Sequence, residues 1–260
     1  MLNLAVPTAV GGQIGMERAG PEISLAPGII AEFGGFPITN TLLVALGASF
    51  ILMTIAILFS KKRATIPGKF QAALELVFEK LLALMDSITY DRKRTERYAP
   101  VVFTIFLFVL TANLVEILPG VESLTIDAGG RHIPLLRSPS SDLNMTLALA
   151  VIAIVSSHVY GAAAHGFFRH AGKYFSFKNP INFFIGILEL VGEFAKILSF
   201  SFRLFGNIFA GGVLLLVVSA LVPILAPLPF LGLEIFVGLI QALVFSVLSL
   251  VFITMATETH

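Results

Sequence analysis

Five apolar stretches long enough to cross a bilayer follow one another along the chain, separated by polar or broken segments. The first, residues 39–59, carries no charge and matches the ~20 residues a helix needs to cross ~30 Å of hydrocarbon. It stops at Lys61, Lys62 and Arg63. Over 67–90 the pattern changes. Phe70, Leu74, Val77, Phe78, Leu81 and Leu84 recur at helical spacing, while Lys69, Glu75, Glu79 and Lys80 forbid a crossing, so this segment predicts an amphipathic helix lying in the interface. Further spans are predicted at 100–118 and 143–168. Residues 119–141, with Pro119, Gly120, Gly129, Gly130, Pro134 and Pro139, read as the loop between them.

From 180 to 225 nothing reads as a loop. As a helix, this segment would be roughly 65 to 70 Å long at 1.5 Å per residue, more than twice a perpendicular crossing. One long tilted helix is therefore expected, followed by a turn at the prolines 223, 227 and 229 and a last helix over 230–256. The expected architecture is an all-α polytopic membrane protein. About five membrane-embedded helices and one interfacial helix form a single membrane domain over 37–260, and the last two helices fold into a long hairpin. Residues 1–36, rich in Gly and Pro, read as an N-terminal arm. Met1–Val10 has no Lys or Arg and is interrupted by Pro7, so the arm is expected to be retained rather than cleaved as a leader.

Composition supports the membrane reading and closes off others. The chain of 260 residues is 57% hydrophobic and 13% charged, against roughly 45 to 50% and 25% in soluble domains. With mean hydropathy +0.93 and net charge +1, it has no basic surface for nucleic acid and no acidic tail. The absence of Cys removes disulfides and thiolate metal sites. There is no Trp, so interfacial anchoring falls to Tyr90, Tyr98, Tyr160 and Tyr174. The cations are unevenly placed: Lys61 to Arg63, Arg92 to Arg97, Arg169, Lys173 and Lys178 all fall at the same face of the predicted topology. By the positive-inside rule that face is cytoplasmic, which puts the N-terminus outside and the C-terminus in the cytoplasm.

The charges inside the apolar stretches carry the candidate chemistry. Glu189, Lys196 and Arg203 are spaced by seven and share one helix stripe, with Ser199 and Asn207 four residues either side of the arginine. Glu193 and Lys196, at i and i+3, read equally well as an ordinary helix ion pair. Arg203 is different. It is permanently charged, some 20 residues from either helix end and without an acid within a turn. A buried Arg costs at least ~2.5 to 3.5 kcal/mol on insertion scales, so its counterpart is expected from another chain or a watered cavity. On the last helix Glu234 and Gln241 are seven apart. Folding back near 222–226 brings Gln241 within about a turn of Asn207 and Arg203, with Glu234 nearer the turn. Such a lane, with a fixed cation near its middle, suits a proton path.

Other signals are weaker. Asn113 with Glu116, and Asp142 with Asn144 and Thr146, sit at the ends of spans two and three, where a carboxylate commonly caps or wets a helix end. The spacing of His158, His165 and His170 does not fit a helical metal pair. No phosphate loop or catalytic triad order is found, and neither a metal nor a cofactor is expected. A secondary transporter would carry inverted repeats with broken helices, and a membrane acyltransferase would need a His and carboxylate cluster; neither is visible.

Several segments together resemble one family. Ser199-Phe-Ser-Phe-Arg203-Leu-Phe-Gly-Asn207-Ile-Phe-Ala-Gly211 closely resembles the signature of subunit a of rotary, F-type ATP synthases. Gln241-Ala-Leu-Val-Phe-Ser-Val-Leu, the ending Met255-Ala-Thr-Glu-Thr-His, Asn113-Leu-Val-Glu116-Ile-Leu-Pro119 and Pro139-Ser-Ser-Asp142-Leu-Asn144-Met-Thr146 are similar to that family in the same order. The resemblance covers about residues 37–260. It implies a non-catalytic membrane stator, most familiar from bacterial inner membranes, that works with the c-subunit ring, b-type peripheral stalk subunits and the rest of the synthase. It implies two offset half-channels. Arg203 would pair with the ring carboxylate. Asn207, Glu234 and Gln241 would line the outer half-channel, with Glu116 and Asp142 near its mouth. Glu189 would line the inner exit, with Ser199 between it and the arginine. Some members carry an acid nine residues after the arginine and a histidine seven before the glutamine; Gly212 and Glu234 stand there in this chain.

Overall fold

The structure is a computed structural model that describes residues 27–33, 36–61, 68–117, 125–128, 131–134, 136–167, 172, 180–222 and 225–258. Most of the predicted N-terminal arm and the cations at 62, 63, 169, 173 and 178 lie outside the described residues.

Six α-helices occur among them: α1 (Asn40–Lys61), α2 (Lys69–Thr89), α3 (Arg92–Ile117), α4 (Leu143–His165), α5 (Pro180–Leu221) and α6 (Pro227–Thr257). All but α2 are long and apolar enough to cross a membrane. The chain is thus an all-α integral membrane protein with several passes. α2 is the amphipathic element. Its Leu81 and Met85 are buried beneath it, and Phe78 meets Phe103 of α3 edge to face at 5.0 Å between centroids.

Boundaries differ from the sequence reading where a local device decides them. α3 begins at Arg92 rather than near Pro100, because the Asp91 carboxylate accepts the Lys93 backbone N–H at 2.9 Å and caps the helix. The basic run is therefore the first two turns of α3, not a linker. Tyr90, at φ 52°, closes α2 and turns the chain into α3. α4 ends at His165 because Gly166, at φ 87°, takes a conformation other residues avoid. α6 starts at Pro227, whose missing N–H costs nothing in a first turn.

The segment read as a loop over 119–141 is more ordered than expected. It holds an antiparallel hairpin, β3 (Thr125–Ala128) and β4 (Arg131–Pro134), then a 3₁₀ turn, Pro139–Ser141. A second hairpin, β1 (Ile29–Phe33) and β2 (Phe36–Thr39), precedes α1. Asn40 joins the two regions: its side chain donates to Pro134 O at 2.9 Å and accepts from Gly28 N at 3.1 Å.

α5 is one unbroken helix of 42 residues, as the missing loop signal predicted. α6 returns along it antiparallel. Phe200 packs on Phe245 at 4.7 Å and on Phe252 at 5.2 Å, while Asn207 meets Gln241. α3 and α4 close over this hairpin. Val109, Ala150, Ala153, Leu204, Ile208, Ala242 and Phe245 form the middle of the core, and the alanines let the helix backbones approach. A second cluster with Met85, Tyr98, Val102, Leu250 and Ile253 fills the end that carries the α3 cations. There the Tyr98 hydroxyl bonds Thr257 at 2.9 Å and the Tyr160 hydroxyl donates to Arg97 O at 3.1 Å.

Candidate functional site

The long helix presents two contrasting faces. Phe200, Ser201, Leu204 and Ile208 are buried against the rest of the chain, whereas Ser199, Arg203 and Asn207 are exposed. The sequence reading expected Arg203 to be buried. Instead it stands on the open side of the hairpin, beside the exposed Phe202 and at the edge of the face that buries Phe200 and Leu204. Its Nη2 donates to Ser199 Oγ at 3.4 Å, and its guanidinium carbon lies 5.9 Å from the Phe200 ring centre. Among the described residues no carboxylate comes within 4.0 Å of it.

Asn207 links this surface to the interior by donating to Gln241 Oε1 at 2.9 Å. Gln241 is 4% exposed, and its Nε2 has no hydrogen-bond partner among the described residues. Two turns back along α6, Glu234 is 6% exposed, and its Oε1 has no partner among the described residues. Its carboxylate fills the space that a side chain at Gly211 would occupy: a Cβ there would collide with Glu234 Oε1, Oε2 and Cδ. Between Glu234 and Gln241, Gly238 receives Asn113 of α3. The Asn113 Nδ2 donates to Gly238 O at 3.0 Å, and a Cβ at 238 would sit 3.2 Å from that of Asn113. Asn113 Oδ1 is also buried without a partner among the described residues.

Unpartnered polar atoms buried in protein are rare and costly, which is why such atoms usually mark ordered water. Asn113, Glu234 and Gln241 place three of them along one line. A fourth, Ser140 Oγ, lies in the 3₁₀ turn; its neighbour Ser138 donates to Ala112 O at 3.1 Å, next to Asn113. Asn113 is a weak signal in the sequence, and Ser140 and Gly211 are not singled out there as site residues. Ser140 lacks a periodic signal, and a glycine in an apolar helix reads only as a close contact.

The remaining candidates have different surroundings. Asp142 is 4% exposed and has both oxygens engaged: Oδ1 accepts from Asn144 N at 2.9 Å as the α4 cap, and Oδ2 from Thr41 Oγ1 at 2.8 Å. Glu116 belongs to α3, but its side chain lies outside the described residues. Glu189 is half-buried on α5 and, among the described residues, has no cation within 4.0 Å. Glu193 instead pairs with Lys196 at 2.7 Å, the ordinary i, i+3 bridge. No group of three His, Asp or Glu among the described residues is arranged to hold a metal.

A family model described as ATP synthase A chain matches residues 41–254, nearly all of this hairpin and of the helices that enclose it. The chain belongs to that family. Relatives named ATP synthase subunit a include one from Gloeobacter violaceus, 35% identical over 226 residues, covering 85% of each chain. Another, from Campylobacter jejuni subsp. doylei, is 33% identical over 80% of this chain and 86% of its own. A third, from Geotalea daltonii, is 29% identical over 90% and 93%. Family membership places the protein in the membrane sector of an ATP synthase, where it serves proton transport; the ATP chemistry belongs to other subunits.

Proposed function

We propose that the α5–α6 hairpin is the stator surface on which a ring of c subunits turns, and that Arg203 is the fixed charge each ring carboxylate meets. The observation that carries this is Arg203 itself: a permanent cation halfway along a spanning helix, exposed on the chain and one turn from Asn207, which bonds Gln241 on the helix that also buries Glu234. A cation so placed is costly in hydrocarbon and is relieved by an anion arriving from outside the chain. The same attraction lowers the cost of ionising the visiting carboxylate, so it releases its proton at this station and not elsewhere in lipid.

The two sides of the station then divide the work. On the outer side, Ser140 and Asn113 rim a watered entrance, with Glu116 and Asp142 near its mouth, Asp142 as the cap that shapes it. Glu234 takes protons from that water and hands them along Gln241 and Asn207 to the ring. On the inner side, Ser199 and Glu189 line the exit. The end bearing Lys61 and Arg92 to Arg97 is the cytoplasmic one, in the inner membrane of a bacterium, with b-type stalk subunits holding the chain against the ring's drag. A proton crossing 100 mV supplies about 2.3 kcal/mol, so several must pass for each ATP made.

The test is Arg203→Ala in reconstituted complexes, with ATP-driven pumping and passive proton leak measured separately. Coupled pumping is expected to vanish while leak through the two half-channels rises. Pumping that survives would remove Arg203 from the mechanism.

A further inference from the structure

The inner end of the path contains a group of charges that the station itself does not use. Glu193 is 15% exposed at its side chain and lies where α4, α5 and α6 meet. Its Oε1 accepts from Lys196 Nζ at 2.7 Å, and Lys196 in turn lies over the Phe252 ring of α6, 5.1 Å from its centre. Its other oxygen, Oε2, is 3.6 Å from His158 Nε2 on α4. Neutralising Glu193 needs only the lysine. The histidine is therefore an additional partner, placed across a helix interface on a carboxylate whose charge is already balanced.

Placement along α5 gives the group its meaning. Glu193, Lys196, Ser199, Arg203 and Asn207 succeed one another at spacings of three, three, four and four, so each is one turn from the next on one side of the helix. A proton freed at Arg203 and moving toward the basic face meets Ser199 and then this group. Lys196, an ammonium, has no lone pair to accept it. Glu193 is already paired with Lys196. An imidazole is the side chain whose charge changes between about pH 5 and 8, and it can accept and release a proton at the working pH.

We propose that His158, oriented by Glu193, is the proton acceptor at the inner end of the exit path. This rests on the reading that protons leave toward the face of the α3 cations. Neutral His158 takes a proton from water on Nε2; the resulting imidazolium is drawn to Glu193 Oε2, and the 3.6 Å gap closes toward the roughly 2.8 Å of a charge-assisted bond. The proton then leaves to inner water and the ring returns to neutral, with no other bond changed. Among the described residues, Glu193 of α5 is the charged group that meets the imidazole, with Lys196 on its other oxygen, and α6 brings the Phe252 ring to the lysine. On α4 itself, Tyr160 is engaged with Arg97 O. Glu193 acts through His158 and is a positioning residue.

The experiment uses the whole synthase in vesicles and measures proton flux while pH on the inner face is varied and the other side held constant. The wild-type profile is expected to show a pH-dependent limb, and His158→Gln to remove that limb and lower flux about tenfold. Glu193→Gln, nearly isosteric, removes the anion that favours the imidazolium and is expected to move the limb to lower pH. A merely structural cluster would change assembly without moving the limb. Should His158→Gln fail to assemble, the Glu193→Gln shift decides alone. Unchanged flux and limb positions in the assembled variants overturn the proposal. Arg203→Ala is measured alongside: if it uncouples while these variants are silent, only this inference fails, and if it still pumps, the stator reading fails.

Discussion

Arg203 was legible in the sequence as a charge that its own helix could not neutralise, and so was the meeting of Asn207 with Gln241, which follows from where the chain turns. Gly211 was not legible. Its role depends on a carboxylate 23 positions later on another helix, and only the register of the hairpin brings them together. Two predictions belong to this pair. Glu234→Gln is expected to slow proton flow without preventing assembly, and unchanged flow would take Glu234 out of the path. Gly211→Ala places a methyl where the carboxylate lies, so it should lower both complex stability and flux. Combined with Glu234→Ala, the methyl has room again: stability is expected to recover, with an interaction energy in the range of about 0.5 to 3 kcal/mol seen for touching residues, while flux stays low. Additive stability effects would show that the two do not touch.

For elements, type was read more securely than boundary. The continuity of α5 came from the absence of any turn signal over its whole length, and the interfacial α2 from its helical period. Helix starts depended on single residues whose partners are distant in sequence. Asp91 extends α3 by two turns, and Asp142 starts α4 while also receiving Thr41 from the start of α1. The β3–β4 hairpin was missed because its glycines and prolines signal turns as readily as a loop. The Thr41 bond gives a direct check on what Asp142 does. Thr41→Val leaves one buried carboxylate oxygen without its donor and is expected to cost about 1 to 3 kcal/mol in thermal stability of the assembled complex. Proton flux per assembled complex should be unchanged; a fall in flux at intact stability would make Asp142 a relay instead of a cap.

At the scale of the whole molecule, the proposed direction rests on the cations and the proposed partnership on the exposed face. A chain without Cys lends itself to single-site labelling. Lys93→Cys should react with an impermeant thiol reagent only from the inner face and Thr125→Cys only from the outer one; the reverse pattern would invert the proposed path. The exposed position of Arg203 has a further consequence for the life of the chain before it joins anything. A newly inserted copy turns that guanidinium toward lipid, at a cost of at least ~2.5 to 3.5 kcal/mol. A single deficit of that size shifts a folding population by roughly a hundredfold or more, and binding a partner removes it. The residue proposed to meet the ring would thus also mark an unassembled chain as unfinished: an orphan copy is expected to be short-lived unless a neighbour covers its charge.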